Sequence, residues 1–111
     1  MRLLLLLLLL SPLSASATGL AITIGSTAEI YYSEPNREAF VGFHDTYAAG
    51  FRDGWIVNRY AWTSATWEDL ECAALEPELM FQLLLQRAKT SPEMSISRFY
   101  HELLNSACNG L

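Results

Sequence analysis

The sequence predicts a small all-α single domain, a bundle of three to four helices closed by one disulfide. Apolar residues after residue 26 recur at spacings of three and four, which is the period of an amphipathic helix. No stretch alternates apolar and polar residues for long enough to build a sheet. The 111 residues include two cysteines, Cys72 and Cys108, so a single pairing is available to them.

The first seventeen residues have the pattern of a secretory signal peptide. Met1 and Arg2 give a basic start, an unbroken leucine run covers residues 3–10, and small residues lead to Ala17. We expect cleavage after Ala17, which leaves 94 residues. Because the leucine run is shorter than the roughly 20 apolar residues of a membrane span, we expect a periplasmic or secreted product without a membrane anchor.

Charge narrows the class of partner. The chain holds 7 Lys and Arg against 12 Asp and Glu, a net charge of -5, and loss of Arg2 with the leader makes the mature chain one unit more acidic. A nucleic-acid-binding protein needs a basic surface, so we expect no nucleic-acid partner.

Export also favours a bond between Cys72 and Cys108, since disulfides persist in oxidising compartments. Closing a loop of about 37 residues removes roughly 4 kcal/mol of unfolded-state freedom. The C-x-x-C spacing of redox-active pairs is absent, which favours a structural role for the bridge.

The mature chain is predicted to open with a loosely held segment over residues 18–25, followed by the helical domain over residues 26–111. The tetrapeptide S-T-A-E at residues 26–29 matches a capping box, in which the first and fourth residues satisfy each other's backbone N–H groups. A short first helix is therefore predicted from Thr27 to about Ser33.

A longer second helix is predicted from Arg37 to a point between Val57 and Trp62. Its apolar stripe is expected to lie in the core and consists of Phe40, Phe43, Tyr47, Phe51 and Trp55. Glycine in a helix is unfavourable by about 1 kcal/mol relative to alanine, and close packing against a neighbouring helix is the usual reason to tolerate it. Three glycines fall in this helix: Gly42, Gly50 and Gly54.

Two further helices follow an irregular stretch from residue 63 to Pro77. Apolar residues cover most of the circumference over residues 78–89, which predicts a helix that is central in the fold or buried in a homodimer. A break at residues 90–92 separates it from a last amphipathic helix over residues 96–107, with Asn109 and Gly110 as its stop.

Candidate catalytic and metal-binding residues are few. An H-E-x-x-H zinc motif begins at His101 but ends on Asn105, so its second ligand is absent. His44 and Asp45 are adjacent on a helix and do not face each other. A triad assembled from distant segments stays open, although no nucleophile elbow is present. We interpret both histidines as partly exposed helix residues and expect no enzyme activity, cofactor or metal.

The candidate partner-binding residues lie in the irregular stretch. Acidic residues gather here around one tryptophan, and the candidates are Trp67, Glu68, Asp69 and Glu71. Such a segment is either a solvated loop or an interface in which an aromatic anchor is surrounded by steering charges. An interface of this kind fits a cationic protein partner. Thr66 is expected to cap a single helical turn that leads to Cys72.

The order of these features resembles the Rap/Tai family of immunity proteins. Residues 40–54, which read F-V-G-F-H-D-T-Y-A-A-G-F-R-D-G, are similar to the aromatic, alanine and glycine pattern of that family's second helix. Cys72, Pro77, the break at residues 91–92 and the final Cys108 follow in the family's order. The resemblance covers about residues 26–108.

Two features depart from the family pattern. Many members carry a second cysteine pair, whereas this chain has no cysteine between residues 18 and 71, and Ala107 stands where the family usually has proline. The resemblance implies a small exported protein that binds and neutralises an effector delivered into the periplasm by type VI secretion. We expect a non-enzymatic mechanism in which the region from Trp67 to Glu78 docks on the effector and occludes its active site. Two alternatives remain, a small periplasmic acid-stress chaperone with one disulfide and a weak enzyme or ligand carrier built on the helical core.

Overall fold

The computed structural model describes residues 22–33 and 35–109. These residues form four α-helices, which are α1 (Ile24–Ser33), α2 (Arg37–Trp62), α3 (Pro77–Ala88) and α4 (Ile96–Ala107), and a short 3-10 helix at Glu71–Ala73. The described residues contain no β-strand, only an isolated bridge between Thr23 and Ser95. The predicted all-α class is confirmed. The predicted signal peptide, residues 1–17, lies outside the described residues.

Helix α3 is the centre of the bundle and contacts the three other helices. Its buried residues are Met80, Phe81, Leu84, Leu85 and Ala88. Each large apolar side chain removed from water contributes about 1.5–3 kcal/mol, so this face accounts for a large share of the core. Leu79 is 48% exposed and lies outside this buried face. The three other helices of the same chain already cover the apolar side of α3.

Helix α4 closes the bundle and begins where the sequence predicts. The backbone N–H of Arg98 donates to the Ser95 hydroxyl over 3.2 Å, which satisfies one of the free donors at the start of the helix. Ile96, Phe99, Tyr100 and Leu104 form its buried face. The Arg59 guanidinium donates to the Asn105 side-chain oxygen over 2.8 Å and ties α4 to α2.

Helix α1 begins three residues earlier than predicted. Ile24 is fully buried, and its N–H donates to the carbonyl of Met94 over 2.8 Å. The cap is Thr23, whose hydroxyl accepts from the N–H of Ser26 over 3.1 Å. The expected capping box at residues 26–29 is therefore wrong, because residues 26–29 already lie inside the helix.

The predicted loose segment over residues 18–25 is also wrong for residues 22–25, the part of it that the structure describes. The N–H of Gly25 donates to the carbonyl of Pro92 over 2.9 Å, and the N–H of Ile96 donates to the carbonyl of Ile22 over 3.0 Å. These bonds join the start of α1 to the α3–α4 connection. Residues 18–21 of the segment lie outside the described residues.

Helix α2 confirms the predicted bounds, but only part of its predicted stripe is core. Trp55 is 7% exposed, whereas Phe43 is 70% exposed and Tyr47 is 40% exposed. The helix has 26 residues and the helices packed on it have 12 or fewer, so at 1.5 Å per residue it is about twice as long as its neighbours. Length does not explain the exposure of Phe43 and Tyr47, however, since the next residue after each of them, His44 and Ala48, is buried.

The glycines of α2 do not mark a close helix contact. A Cβ atom added to any of the three would meet nothing within 4 Å, so the predicted packing role is wrong for Gly42, Gly50 and Gly54.

The predicted disulfide is confirmed. Cys72 and Cys108 are bonded, with their Cα atoms 5.2 Å apart, and the bond joins the 3-10 helix to the C-terminal end of α4. The described residues contain no free cysteine.

Candidate functional site

The candidate site lies where the C-terminal part of α2 meets a turn formed by residues 66–73. Thr66 and Asp69 cap each other at the start of this turn, which confirms the cap predicted at Thr66. The N–H of Asp69 donates to the Thr66 hydroxyl over 3.2 Å, and the N–H of Thr66 donates to Asp69 Oδ2 over 2.9 Å. The Asp69 carboxylate therefore holds the turn in addition to carrying the negative charge that is predicted to steer a partner.

The turn is anchored to the bundle from below. Leu70 is 1% exposed and Ala73 is fully buried, so both side chains enter the core. Cys72 is bonded to α4, and Arg52 Nη1 on α2 donates to the carbonyl of Leu75 over 2.9 Å. The residues exposed on the outer side of this turn are consequently held on a fixed backbone.

Trp67 lies on the outer side of the turn and stacks on Tyr60 of α2. The ring centroids are 4.1 Å apart and the ring planes are 15° apart. Trp67 remains 55% exposed, Tyr60 46% and Val57 58%. We call the set of Val57, Tyr60, Trp67, Glu68 and Glu71 the Trp67 surface.

The carboxylates of the Trp67 surface have no cationic partner within residues 22–33 and 35–109. Glu68 and Glu71 are exposed. The ion pairs of the described residues involve Arg52, Arg87 and Arg98, and neither Glu68 nor Glu71 takes part in any of them. The surface thus combines exposed aromatic rings with negative charge that the described part of the chain does not neutralise.

A pocket of about 380 Å³ opens beside Trp67. It lies between α2 and the turn, and its lining residues are Asp53, Ile56, Val57, Trp67, Leu70, Glu71 and Ala74. The sequence predicted Trp67 and Glu71 but not the α2 contribution. A usable signal is the helical spacing of Asp53, Val57 and Tyr60, which places these three residues along one side of α2.

A second concave region lies at the other end of α2. It is a groove of about 450 Å³ lined by the exposed Phe43 and Tyr47 together with residues of α1 and the start of α4. His44 lines this groove but is 7% exposed, so the interpretation of His44 as a partly exposed residue is wrong.

The surroundings of His44 are aromatic. Its ring centroid lies 4.6 Å from that of Phe40, 5.3 Å from that of Phe81 and 5.9 Å from that of Phe43. Burial lowers the pKa of His44, an effect that the nearby Asp45 opposes. His44 Nδ1 has no hydrogen-bond partner among the described residues. This environment favours the neutral imidazole.

His101 lies on the surface of α4, as predicted, with its Nε2 atom 3.0 Å from Nδ2 of Asn105. The two histidines are thus on different faces of the bundle and do not form one site. In the part of the chain that the structure describes, no group of three or more His, Cys, Asp or Glu side chains is arranged to hold a metal ion. No helix in that part is long and apolar enough to cross a membrane.

Comparison of the chain with protein-family models, with curated proteins and with solved structures finds no match.

Proposed function

We propose that the chain is an exported, non-enzymatic binding protein of the immunity type, which docks a cationic protein effector on the Trp67 surface and occludes the effector's active site. The observation that carries the proposal is the stacked and half-exposed Tyr60–Trp67 pair, which lies beside carboxylates that form no ion pair with any residue that the structure describes. This combination is typical of a binding surface.

The aromatic pair supplies the apolar part of the interface. Tryptophan and tyrosine are enriched among the residues that dominate interface energies, because they bury large areas. Tyr60 and Trp67 are already stacked, and Trp67 lies on a turn held by a disulfide and a reciprocal cap. Little side-chain freedom remains to be lost when a partner covers them.

The negative charge of the chain favours a positively charged partner. The net charge is -5, and two of the acidic residues, Glu68 and Glu71, lie exposed on the surface itself and pair with none of the described cations. Complementary charge raises association rates and discriminates against acidic partners, and the effect weakens as salt is added. A basic effector is therefore the expected partner.

The place of action follows from the leader pattern, the disulfide and the resemblance. A signal-peptide pattern and a disulfide both favour an oxidising compartment outside the cytoplasm. The resemblance to Rap/Tai immunity proteins adds the class of partner, an effector delivered into the periplasm by type VI secretion.

The experiment that tests the proposal begins with a periplasmic pull-down, which uses the mature chain as bait to isolate the effector. Replacing Trp67 with Ala should then weaken effector binding by about 2 kcal/mol or more, roughly 30-fold in Kd, because the anchor ring is lost. Titration calorimetry at low and high salt measures both the loss and the salt dependence.

Trp62→Ala is the matched control. Trp62 is 81% exposed, outside the Trp67 surface, and its replacement should leave the Kd within a factor of three. An unchanged Kd in the Trp67 variant contradicts the docking site. Suppression of client aggregation at about pH 3 favours the acid-stress chaperone instead.

A further inference from the structure

The pocket beside Trp67 has apolar walls and an acidic rim. Ile56, Val57 and Ala74 contribute aliphatic surface, while Asp53 from α2 and Glu71 from the 3-10 helix add carboxyl groups from its two sides. We propose that this pocket receives a single lysine or arginine side chain of the partner. The inference rests on the proposed function and names the group that the Trp67 surface recognises.

The size of the pocket favours one side chain. Its volume of about 380 Å³ is close to the lower limit of small-molecule pockets, which run from about 300 to 1,000 Å³. Space of this size takes one long side chain more readily than a folded segment. The buried Leu70 lines the pocket and ties it to the core.

The walls fit the methylene stem of a cationic side chain. Lysine and arginine lay their aliphatic stems along apolar surface and keep the charged head in a polar environment. The stem would contact Ile56, Val57 and Ala74. Trp67 also lines the pocket, and an ammonium or guanidinium group within about 6 Å of its ring is attracted by the negative face of the ring.

The carboxylates at the rim select for positive charge. Glu71 is exposed and takes part in no ion pair with a described residue. Asp53 lies 3.0 Å from Arg52 Nε, but its side chain is 62% exposed, which leaves acceptor capacity for a second cation.

An uncharged occupant fits this rim less well. An apolar side chain would remove water from the carboxylates of Asp53 and Glu71 without replacing the lost hydrogen bonds, which is unfavourable. An acidic side chain would also be repelled by Glu68 on the same turn. A cationic head avoids both costs, because its N–H groups form charge-assisted hydrogen bonds to the carboxylates.

The test is an NMR titration of the isotope-labelled mature chain with two small probes. N-acetyl-lysine methylamide carries the cationic side chain, and N-acetyl-norleucine methylamide has a similar stem without the charge. The lysine probe should shift the amide signals of Glu71 and Ala74 and the indole signal of Trp67 in a saturable way. The norleucine probe should bind at least five-fold more weakly.

Substitutions locate the site. Glu71→Gln and Asp53→Asn should each weaken lysine binding several-fold, and Ala74→Leu should remove it by filling the pocket. Glu78→Gln is the matched control, because Glu78 is an exposed acid of α3 outside the pocket lining and its loss should have no effect.

Three results overturn the inference: equal binding of the two probes, shifts spread over all surface carboxylates, or unchanged lysine binding in Glu71→Gln. Failure of the pocket is distinguishable from failure of the proposed function. If the lysine probe does not bind while Trp67→Ala still weakens effector binding, the pocket is wrong and the docking surface stands. If the lysine probe binds while Trp67→Ala leaves effector binding unchanged, the proposed function is wrong and the pocket stands.

Discussion

At the scale of single residues, His44 of α2 is buried while the larger apolar residue before it, Phe43, is exposed. Phe43 and Tyr47 dominate the predicted stripe, yet both are exposed, and the buried residues of α2 are His44, Ala48 and Trp55. The buried His44 and Ala48 each follow an exposed stripe residue by one position, which is about 100° around the helix, whereas Trp55 is buried as predicted. Periodicity predicts that α2 has an apolar side but does not resolve a rotation of this size, because the contacts that decide it come from Phe81 on α3.

The buried imidazole makes stability depend on pH. Because burial lowers the pKa of His44 below its ordinary value of 6.5, the unfolded chain takes up a proton more readily than the folded chain. The free energy of unfolding should therefore fall as pH decreases below about 6.5, and the loss should level off below the folded-state pKa. Urea midpoints at about pH 7.5 and pH 5.5 measure this change.

Two variants assign that dependence to His44. His44→Phe should remove most of the fall between these pH values, whereas His101→Gln, which changes an exposed histidine, should retain it. A full pH dependence in His44→Phe contradicts the assignment.

At the scale of elements, the sequence predicted three of the four helices closely and placed the start of α1 wrongly. Helices α2, α3 and α4 are defined by local signals, namely their apolar period, Pro77 and Ser95. The start of α1 depends on contacts with the α3–α4 connection, such as the bond from Ile24 to Met94, about 70 residues away along the chain. Pattern and propensity carry no information about such a contact.

Gly25 lies in close contact with Pro92 of the α3–α4 connection. A Cβ atom at this position would lie 2.5 Å from the carbonyl oxygen of Pro92 and 2.7 Å from its Cβ, so something must move if a side chain is added. Gly25→Ala should destabilise the protein by about 1–3 kcal/mol, as overpacking does. Equilibrium urea unfolding, followed by circular dichroism, measures the change.

Gly54→Ala is the control with the opposite sign. Gly54 lies inside α2 with open space around its Cα, and alanine there should stabilise by about 0.5–1 kcal/mol through helix propensity alone. Destabilisation by both substitutions to the same extent would show that packing against Pro92 is not the cause.

The candidate site divides in the same way between local and distant contributions. Trp67, Glu68 and Glu71 were predictable because they lie in one short acidic segment. Tyr60 and Asp53 were missed, since their place beside the turn depends on how α2 packs against it. The cap that Asp69 forms with Thr66 was missed, although the spacing of the two residues resembles a capping box with a shorter acid in the last position.

At the scale of the whole molecule, the fold is a long helix packed on shorter ones, with a disulfide at one end of the bundle. Helix α2 has 26 residues, and its C-terminal part carries Val57 and Tyr60 of the Trp67 surface. The bond between Cys72 and Cys108 holds the turn of residues 66–73 to α4. The disulfide and the proposed binding surface thus lie at the same end of the bundle.

Loss of the bridge should lower the stability of the fold. Replacing Cys72 and Cys108 together with Ala should lower the free energy of unfolding by about 4 kcal/mol, because the unfolded chain gains the freedom of an unclosed loop. Urea unfolding of the double variant beside the oxidised parent measures the loss. A loss below about 1 kcal/mol would show that the bridge adds little beyond the helical core.

The same bond links the final form of the Trp67 surface to the moment when the chain is oxidised. Thiols stay reduced in a reducing compartment, and Cys72 and Cys108 are 36 positions apart, with all of α3 and all of α4 between them. Oxidation closes this loop and holds the turn that carries Trp67 to the end of α4. In a chain that has not yet been oxidised, Trp67 lies on a turn without this cross-link. Such a turn loses more conformational freedom when a partner binds, and this entropic cost lowers the affinity for the partner. Under the proposed function, protection begins with oxidation of the exported chain and not with its synthesis.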